Sequence, residues 1–193
     1  MQWSEEVAAG AWIVQGLHPF GRDVGSVVPD VFPAYARVRH PGAGTLDRPR
    51  LDALLEVLAR HTTGAEACWF AVWDGYAGLQ GPPATAALTR GGGDAAPRAG
   101  ATAPAARLRA PERSYALHRG TLGAARALWD FSWAQSPNLW WPAGRSWCVA
   151  SEVDLTSTYV GGSAALVDDL VGDRRLGAQA ARPHDPIGAG APA

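Results

Sequence analysis

Two carboxylates that are close together in the sequence are the first candidates for chemistry. Glu152 and Asp154 are separated by one residue in a strand-like segment, and since side chains alternate along a strand, both are predicted to lie on one face. Such a pair can act as the acid and base of a hydrolase, or hold a divalent cation. Two other interpretations are open: a solvated strand surface, or an ionic network with Arg37 and Arg39 across the sheet.

A second candidate is the loop of residues 136–142, which carries two adjacent tryptophans between prolines (SPNLWWP). Adjacent side chains in an extended chain point to opposite sides, so we expect at least one of the two indoles to be exposed. An exposed indole can stack on a sugar or base, or anchor a protein partner. The alternative is that both indoles fill the edge of the sheet. The predicted binding residues are Trp140, Trp141, Asn138, Tyr159 and Arg37.

A glycine pair, Gly161 and Gly162, precedes Ser163 and a predicted helix. Free backbone N–H groups at this point could bind an anion. The same residues also suffice to end a strand and begin a helix, and this interpretation is favoured because no GxGxxG, GxSxG or P-loop pattern accompanies them.

The histidines do not have the spacing of a metal site. His40 and His61 form no HExxH-type pattern, and His18 and His118 lie in unrelated contexts. Each is therefore interpreted as an ordinary polar residue, and no metal or other cofactor is predicted.

The composition excludes several classes of function and partner. The net charge of -1 offers little attraction to nucleic acid or to an anionic membrane. All 17 basic residues are arginine, so Schiff-base chemistry and a phosphate-binding P-loop lysine are excluded. Cys68 and Cys148 each stand beside a tryptophan in an apolar segment and are predicted to be buried thiols. With an acidic N-terminus and no apolar segment of membrane-spanning length, a cytoplasmic location is predicted.

The elements that must position these residues alternate irregularly along the chain. Leucines at 51, 54, 55 and 58 predict a helix that begins after Asp47 and ends near Arg60. The segment Cys68–Asp74 (CWFAVWD) is apolar throughout and predicts a strand buried on both faces. Further strands are predicted at 35–40, 113–119, 145–152 and 154–159, with a short helical pattern within 1–17 and helices at 120–131 and 163–171. This order favours an α+β fold with a mostly antiparallel sheet and helices packed on one side.

Composition also divides the chain into ordered and unordered parts. Residues 1–77 and 112–176 are predicted to form one globular domain, because large apolar residues recur throughout them. Residues 78–111 are rich in Ala, Gly and Pro and are predicted to be a flexible insert, and residues 177–193 a disordered tail.

Three long segments carry a resemblance to a known group. Residues 24–41, 59–79 and 136–170 resemble a family of actinobacterial proteins that has no established activity, with motifs such as NLWWP, WCVASE and STYVGGS. The general layout is more weakly similar to immunity and regulatory proteins of the SMI1/KNR4 type. That second resemblance implies a single α+β domain that binds other proteins.

Two hypotheses for function follow from these observations. The favoured one is a non-catalytic protein-binding module that presents residues 136–147 to a protein partner. The alternative is a small hydrolase or ligand-binding protein whose pocket is lined by one of the two tryptophans, Tyr159, Arg37 and the carboxylates Glu152 and Asp154.

Overall fold

The computed structural model describes residues 1–42, 44–75, 106–130 and 136–187. The nine strands are β1 (Gln2–Trp3), β2 (Ala34–Arg39), β3 (Cys68–Trp73), β4 (Leu108–Ala110), β5 (Arg113–Gly120), β6 (Leu139–Pro142), β7 (Cys148–Ser151), β8 (Ser157–Gly162) and β9 (Ala178–Ala181). The α-helices within these ranges are α1 (Ala11–Gly16), α2 (Arg48–Arg60) and α3 (Ala164–Gly172), and 3-10 helices span Val7–Gly10, Val24–Ser26 and Leu122–Asp130.

The strands form one antiparallel sheet in the order β1-β5-β3-β6-β7-β8-β2-β9, and β4 pairs with β5 at one side. β3 lies inside the sheet between β5 and β6, as its unbroken apolar sequence predicts. Its Phe70 is opposite His118 of β5 and Trp140 of β6. The predicted α+β class with a mostly antiparallel sheet is confirmed.

Each face of the sheet has its own apolar core. The first core packs α2, α3 and the 3-10 helix Leu122–Asp130 on one face, so the two longer helices share one side as predicted. Asp47 caps α2 by accepting a hydrogen bond from the backbone N–H of Arg50. The second core lies on the other face, under N-terminal residues that include α1. The helix predicted near the N-terminus corresponds to α1, which is short and follows a 3-10 turn that ends at the buried Gly10.

The C-terminal segment differs from its prediction. Residues 178–181 form β9, which pairs with β2 at the edge of the sheet. The backbone N–H groups of Val24 and Gly25 then donate to the carbonyls of Asp185 and Pro183. The predicted disorder is therefore wrong for residues 178–187. Backbone hydrogen bonds and packing fix this segment, although its sequence has little strand propensity of its own. Residues 188–193 lie outside the described residues.

The predicted insert also needs a new boundary. Residues 108–110 form β4, so its predicted end at residue 111 is wrong. Residues 76–105 lie outside the described residues. Within the ranges that are described, no helix is long and apolar enough to cross a membrane.

Candidate functional site

The two adjacent tryptophans lie in the interior of the sheet. Trp140 packs on the first core, where its ring is 6.3 Å from that of Phe70 and 5.6 Å from that of Trp147. Trp141 points to the opposite face and meets Trp12 edge-on at 6.3 Å. The alternation is confirmed, but the expected exposure of one indole is wrong, because β6 lies between β3 and β7 and both of its faces are covered.

The other predicted binding residues do not gather around these tryptophans. Asn138 is fully buried and joins two strands, since it accepts from the N–H of Trp73 at 2.8 Å and donates to the carbonyl of Ser151 at 3.2 Å. Tyr159 is buried in the second core, where burial raises the pKa of its hydroxyl. Arg37 lies opposite Tyr159 in β2 and donates to Gln179 of β9 at 3.0 Å.

The two carboxylates occupy different environments. Glu152 directly follows β7 and is only 2% exposed, whereas the chain then turns and leaves the Asp154 side chain 80% exposed. The prediction that both lie on one face of a strand is therefore wrong. The carboxylates also do not pair with Arg37 and Arg39. Both lie against Arg113 instead: its Nη1 is 2.7 Å from Glu152 Oε2, and its Nη2 is 3.5 Å from Asp154 Oδ2.

β5 positions the partners of Glu152. Arg113 is the first residue of β5, and Tyr115 is two residues further on, so both side chains lie on the same face. The hydroxyl of Tyr115 donates to Glu152 Oε1 at 3.0 Å. The guanidinium of Arg113 lies 4.3 Å from the ring centre of Phe20 and 5.5 Å from that of Trp73. These aromatic contacts hold a cation in a position where its side chain is only 10% exposed.

The charge pair is incompletely hydrogen-bonded. Arg113 Nη1 and Glu152 Oε2 are close, but their orientation is not that of a hydrogen bond, and neither atom forms one with any other described residue. Most buried polar atoms in proteins have a hydrogen-bond partner, and an unsatisfied charged atom is costly. The two atoms therefore form an ion pair at 2.7 Å without an aligned hydrogen bond.

Burial dominates the protonation of Glu152. It raises the pKa of this carboxyl, and the negative charge of Asp154 acts in the same direction. The positive charge of Arg113 and the hydrogen bond from Tyr115 oppose the rise. Glu152 is thus a carboxyl whose charge depends on what contacts it.

These residues border a small pocket, which we call the Arg113–Glu152 pocket. Its volume is about 140 Å³, and it is lined by Phe20, Gly21, Arg113, Glu152, Asp154, Leu155 and Ile187. Since one water molecule occupies about 30 Å³ of liquid, the pocket has room for a small metabolite or about five waters. It combines one cation and two carboxylates with apolar walls.

The glycine pair has a packing role. A Cβ atom on Gly161 would lie 2.5 Å from Phe32, and one on Gly162 would lie 2.6 Å from Leu166. Ser163 caps α3 by accepting from the N–H of Leu166 at 3.2 Å. These contacts support the interpretation that the residues end a strand and begin a helix.

The two cysteines are buried free thiols, as predicted. Burial raises the pKa of Cys68 to about 12 and raises that of Cys148 still further. Neither thiol is therefore suited to nucleophilic chemistry.

Sequence reasoning missed the arginine of the pocket and a histidine cluster. Arg113 gave no signal beyond its place in an alternating strand. His18, Asp23 and His184 come from opposite ends of the chain and meet in space, so no local spacing could have revealed them.

The described residues define an α+β domain with a small charged pocket at one end of its antiparallel sheet. Comparison with protein-family models, with curated proteins and with solved structures gave no match. The resemblance to an actinobacterial family and to the SMI1/KNR4 type therefore stays a prediction.

Proposed function

We propose that this domain binds a small zwitterionic metabolite, of the α-amino acid class, in the Arg113–Glu152 pocket. The observation that carries the proposal is the presence of a buried arginine and a buried glutamate, Arg113 and Glu152, in the lining of this pocket, with their closest charged atoms 2.7 Å apart. A ligand that carries one anionic and one cationic group can pair with both side chains, which offsets the cost of burying their charges.

The charges select the class of ligand. Arg113 can bind an anionic group and Glu152 a cationic one, and the carboxylate and ammonium of an α-amino acid supply both on neighbouring atoms. Asp154 adds a second negative charge at the pocket, which favours the ammonium end. Phe20, Leu155 and Ile187 provide apolar walls for a short side chain.

Binding is better supported than hydrolysis. None of the seven described residues that line the pocket is a serine, cysteine, threonine or histidine, which leaves two carboxylates as the groups available for acid and base chemistry. The raised pKa of Glu152 would suit a general acid, but the guanidinium of Arg113 in direct contact with it favours the charged form. A hydrolase remains the second candidate, and turnover of an amino-acid amide or ester would identify it.

The two tryptophans that motivated the protein-binding hypothesis are not exposed. Trp140 and Trp141 are both buried in the sheet. Replacing them would disturb the core, so their substitution would report on folding and not on a partner.

The test is a thermal-shift screen of the whole chain with the α-amino acids and with matched analogues. The analogues are the amides, which lack the carboxylate, the corresponding amines, and the corresponding carboxylic acids, which lack the ammonium. We expect one or more small apolar amino acids to raise the melting temperature, and each single-ended analogue to raise it less. Glu152→Gln should abolish the shift, whereas Asp169→Asn, which changes an exposed carboxylate on α3, should leave it unchanged. No response from any amino acid, or an equal response in Glu152→Gln, would contradict the proposal.

A further inference from the structure

A second polar cluster lies where the loop of residues 18–30 meets the C-terminal segment 182–187. One possible ligand atom from each of His18, Asp23 and His184 lies within 4.8 Å of the others. His18 Nδ1 is 3.0 Å from Asp23 Oδ1, and His184 Nδ1 is 3.6 Å from Asp23 Oδ2. The two imidazole rings are stacked, with their centres 5.1 Å apart. We call these three residues the His18 cluster.

His18 is oriented by a second carboxylate. Its Nε2 lies 3.2 Å from Asp30 Oδ2, and the hydroxyl of Tyr35 donates to the other oxygen of Asp30 at 3.3 Å. Burial raises the pKa of Tyr35 to about 12, so this hydroxyl keeps its proton. When His18 donates a hydrogen bond from Nε2–H to this carboxylate and is neutral, its Nδ1 lone pair faces the cluster, which is the arrangement that orients histidine ligands in metal sites.

The backbone around His18 and Asp23 is built to hold these side chains. A Cβ atom on Gly25 would lie 2.5 Å from the His18 ring, so the ring rests where only a glycine leaves room. Asp23 Oδ1 accepts from the N–H of Ser26 at 3.1 Å, which fixes the carboxylate at the start of the 3-10 helix. Two of the three candidate ligands are therefore held in place by the loop itself.

The third ligand comes from a segment that is tied to the same loop. The N–H of Gly25 donates to the carbonyl of Pro183 at 2.7 Å, and the N–H of Val24 donates to that of Asp185 at 3.0 Å. These bonds fix the backbone on both sides of His184, while its side chain, 80% exposed, remains able to turn.

We propose that His18, Asp23 and His184 bind one divalent transition-metal ion, with Zn²⁺ the best match, and that the ion clips the C-terminal segment onto the loop. Two imidazoles and one carboxylate suit zinc, whereas Ca²⁺ and Mg²⁺ prefer oxygen ligands alone. Zinc–ligand bonds of about 2.1 Å place tetrahedral ligand atoms about 3.4 Å apart. A turn of the His184 side chain brings the cluster to that spacing, and water occupies the fourth position.

The binding test is isothermal titration calorimetry, in which Zn²⁺ is added to the metal-free protein. We expect one site in the wild type, at least tenfold weaker binding in His184→Ala, and about tenfold weaker binding in Asp30→Asn, which removes the orienting carboxylate. The matched control is His61→Ala, because His61 pairs with Asp169 at 2.8 Å elsewhere on the surface; its affinity should equal that of the wild type. His184 is exposed enough for its alanine variant to fold, and circular dichroism checks this.

Hydrogen exchange tests the clip separately. Zn²⁺ should slow exchange of the Val24 and Gly25 amides, whose hydrogen bonds reach the C-terminal segment, in the wild type but not in His184→Ala. Equal zinc affinity in these two proteins would overturn the site and would mean that the cluster is a plain network of histidine and aspartate hydrogen bonds. Zinc binding without protection of the two amides would overturn the clip. Neither result depends on amino-acid binding, so each is distinguishable from failure of the proposed function.

Discussion

The centre of the sheet and its pocket end bury different kinds of side chain. At the centre, Phe70, Trp140 and Trp147 pack together in a core of apolar side chains. At the pocket end, Arg113 and Glu152 are nearly as well buried, yet both are ionisable, and their closest atoms, 2.7 Å apart, form no hydrogen bond with a described residue. Trp140 and Trp141, which the sequence suggested as binding residues, are part of the apolar cores, whereas the buried ionisable pair of Arg113 and Glu152 marks the candidate site.

The largest expected effect is at the centre. Trp140→Ala should lower the free energy of unfolding by about 3–5 kcal/mol, because it removes a large buried ring and leaves a cavity between its neighbours. Chemical denaturation followed by circular dichroism measures this. Trp140→Phe is the matched control and should cost less than half as much, since the indole N–H forms no hydrogen bond with a described residue. A loss below about 1 kcal/mol in the alanine variant would mean that this ring is not part of the core.

The next effect is at the pocket end. Arg113→Met should lower the free energy of unfolding at neutral pH by about 3–5 kcal/mol, because it leaves Glu152 buried without its cation. The double variant with Glu152→Gln should regain at least half of the loss, because no charge is then left unpaired. If the two changes are simply additive, the charges are not coupled and the pair described here is wrong.

A smaller effect is expected from pH. Because the folded-state pKa of Glu152 is raised above its ordinary value of 4.5, its contribution to stability is fully present below that value and is lost as the pH rises through the folded-state pKa. The stability of the wild type relative to Glu152→Gln should therefore increase as the pH falls from 7 toward 4.5. Aspartates with lowered pKa values, such as Asp52 and Asp173, are common to both proteins and cancel in the difference. Denaturant titrations at several pH values measure it, and an opposite slope would contradict the raised pKa.

The smallest effect on stability is expected at the exposed carboxylate. Asp154→Asn should change the free energy of unfolding by less than about 0.5 kcal/mol, because its contact with Arg113 is long and its side chain is exposed. It should nevertheless weaken amino-acid binding severalfold, by removing a negative charge near the ammonium. A variant that binds as tightly as the wild type would restrict recognition to Arg113 and Glu152.

Local patterns were sufficient to predict much of the fold. The leucines of α2 and the apolar residues of β3 are buried, as the leucine spacing and the unbroken apolar sequence predicted. β9 could not be predicted in this way, because the sequence Ala178–Ala181 has small side chains, and its order comes from pairing with β2. The strand at the sheet edge depends on tertiary contacts that no local window contains.

The site was predicted only in part. Glu152 was identified from its spacing to Asp154, but the cations considered for it, as one of several interpretations, were Arg37 and Arg39. The start of β5 and the end of β7 are at the same end of the sheet, and there Arg113 reaches Glu152. Partners that are distant along the chain, such as Arg113 with Glu152 or His18 with His184, follow from topology and not from spacing.

The most direct test of the central claim is the pKa of Glu152, measured by carbon NMR of its carboxyl group with and without the amino acid that most raises the melting temperature. The free protein should show a raised pKa. The bound ammonium should lower it, because a nearby cation favours the charged carboxylate. A pKa that does not change on saturation with the amino acid would show that the ligand does not contact Glu152, and would contradict the proposed binding mode.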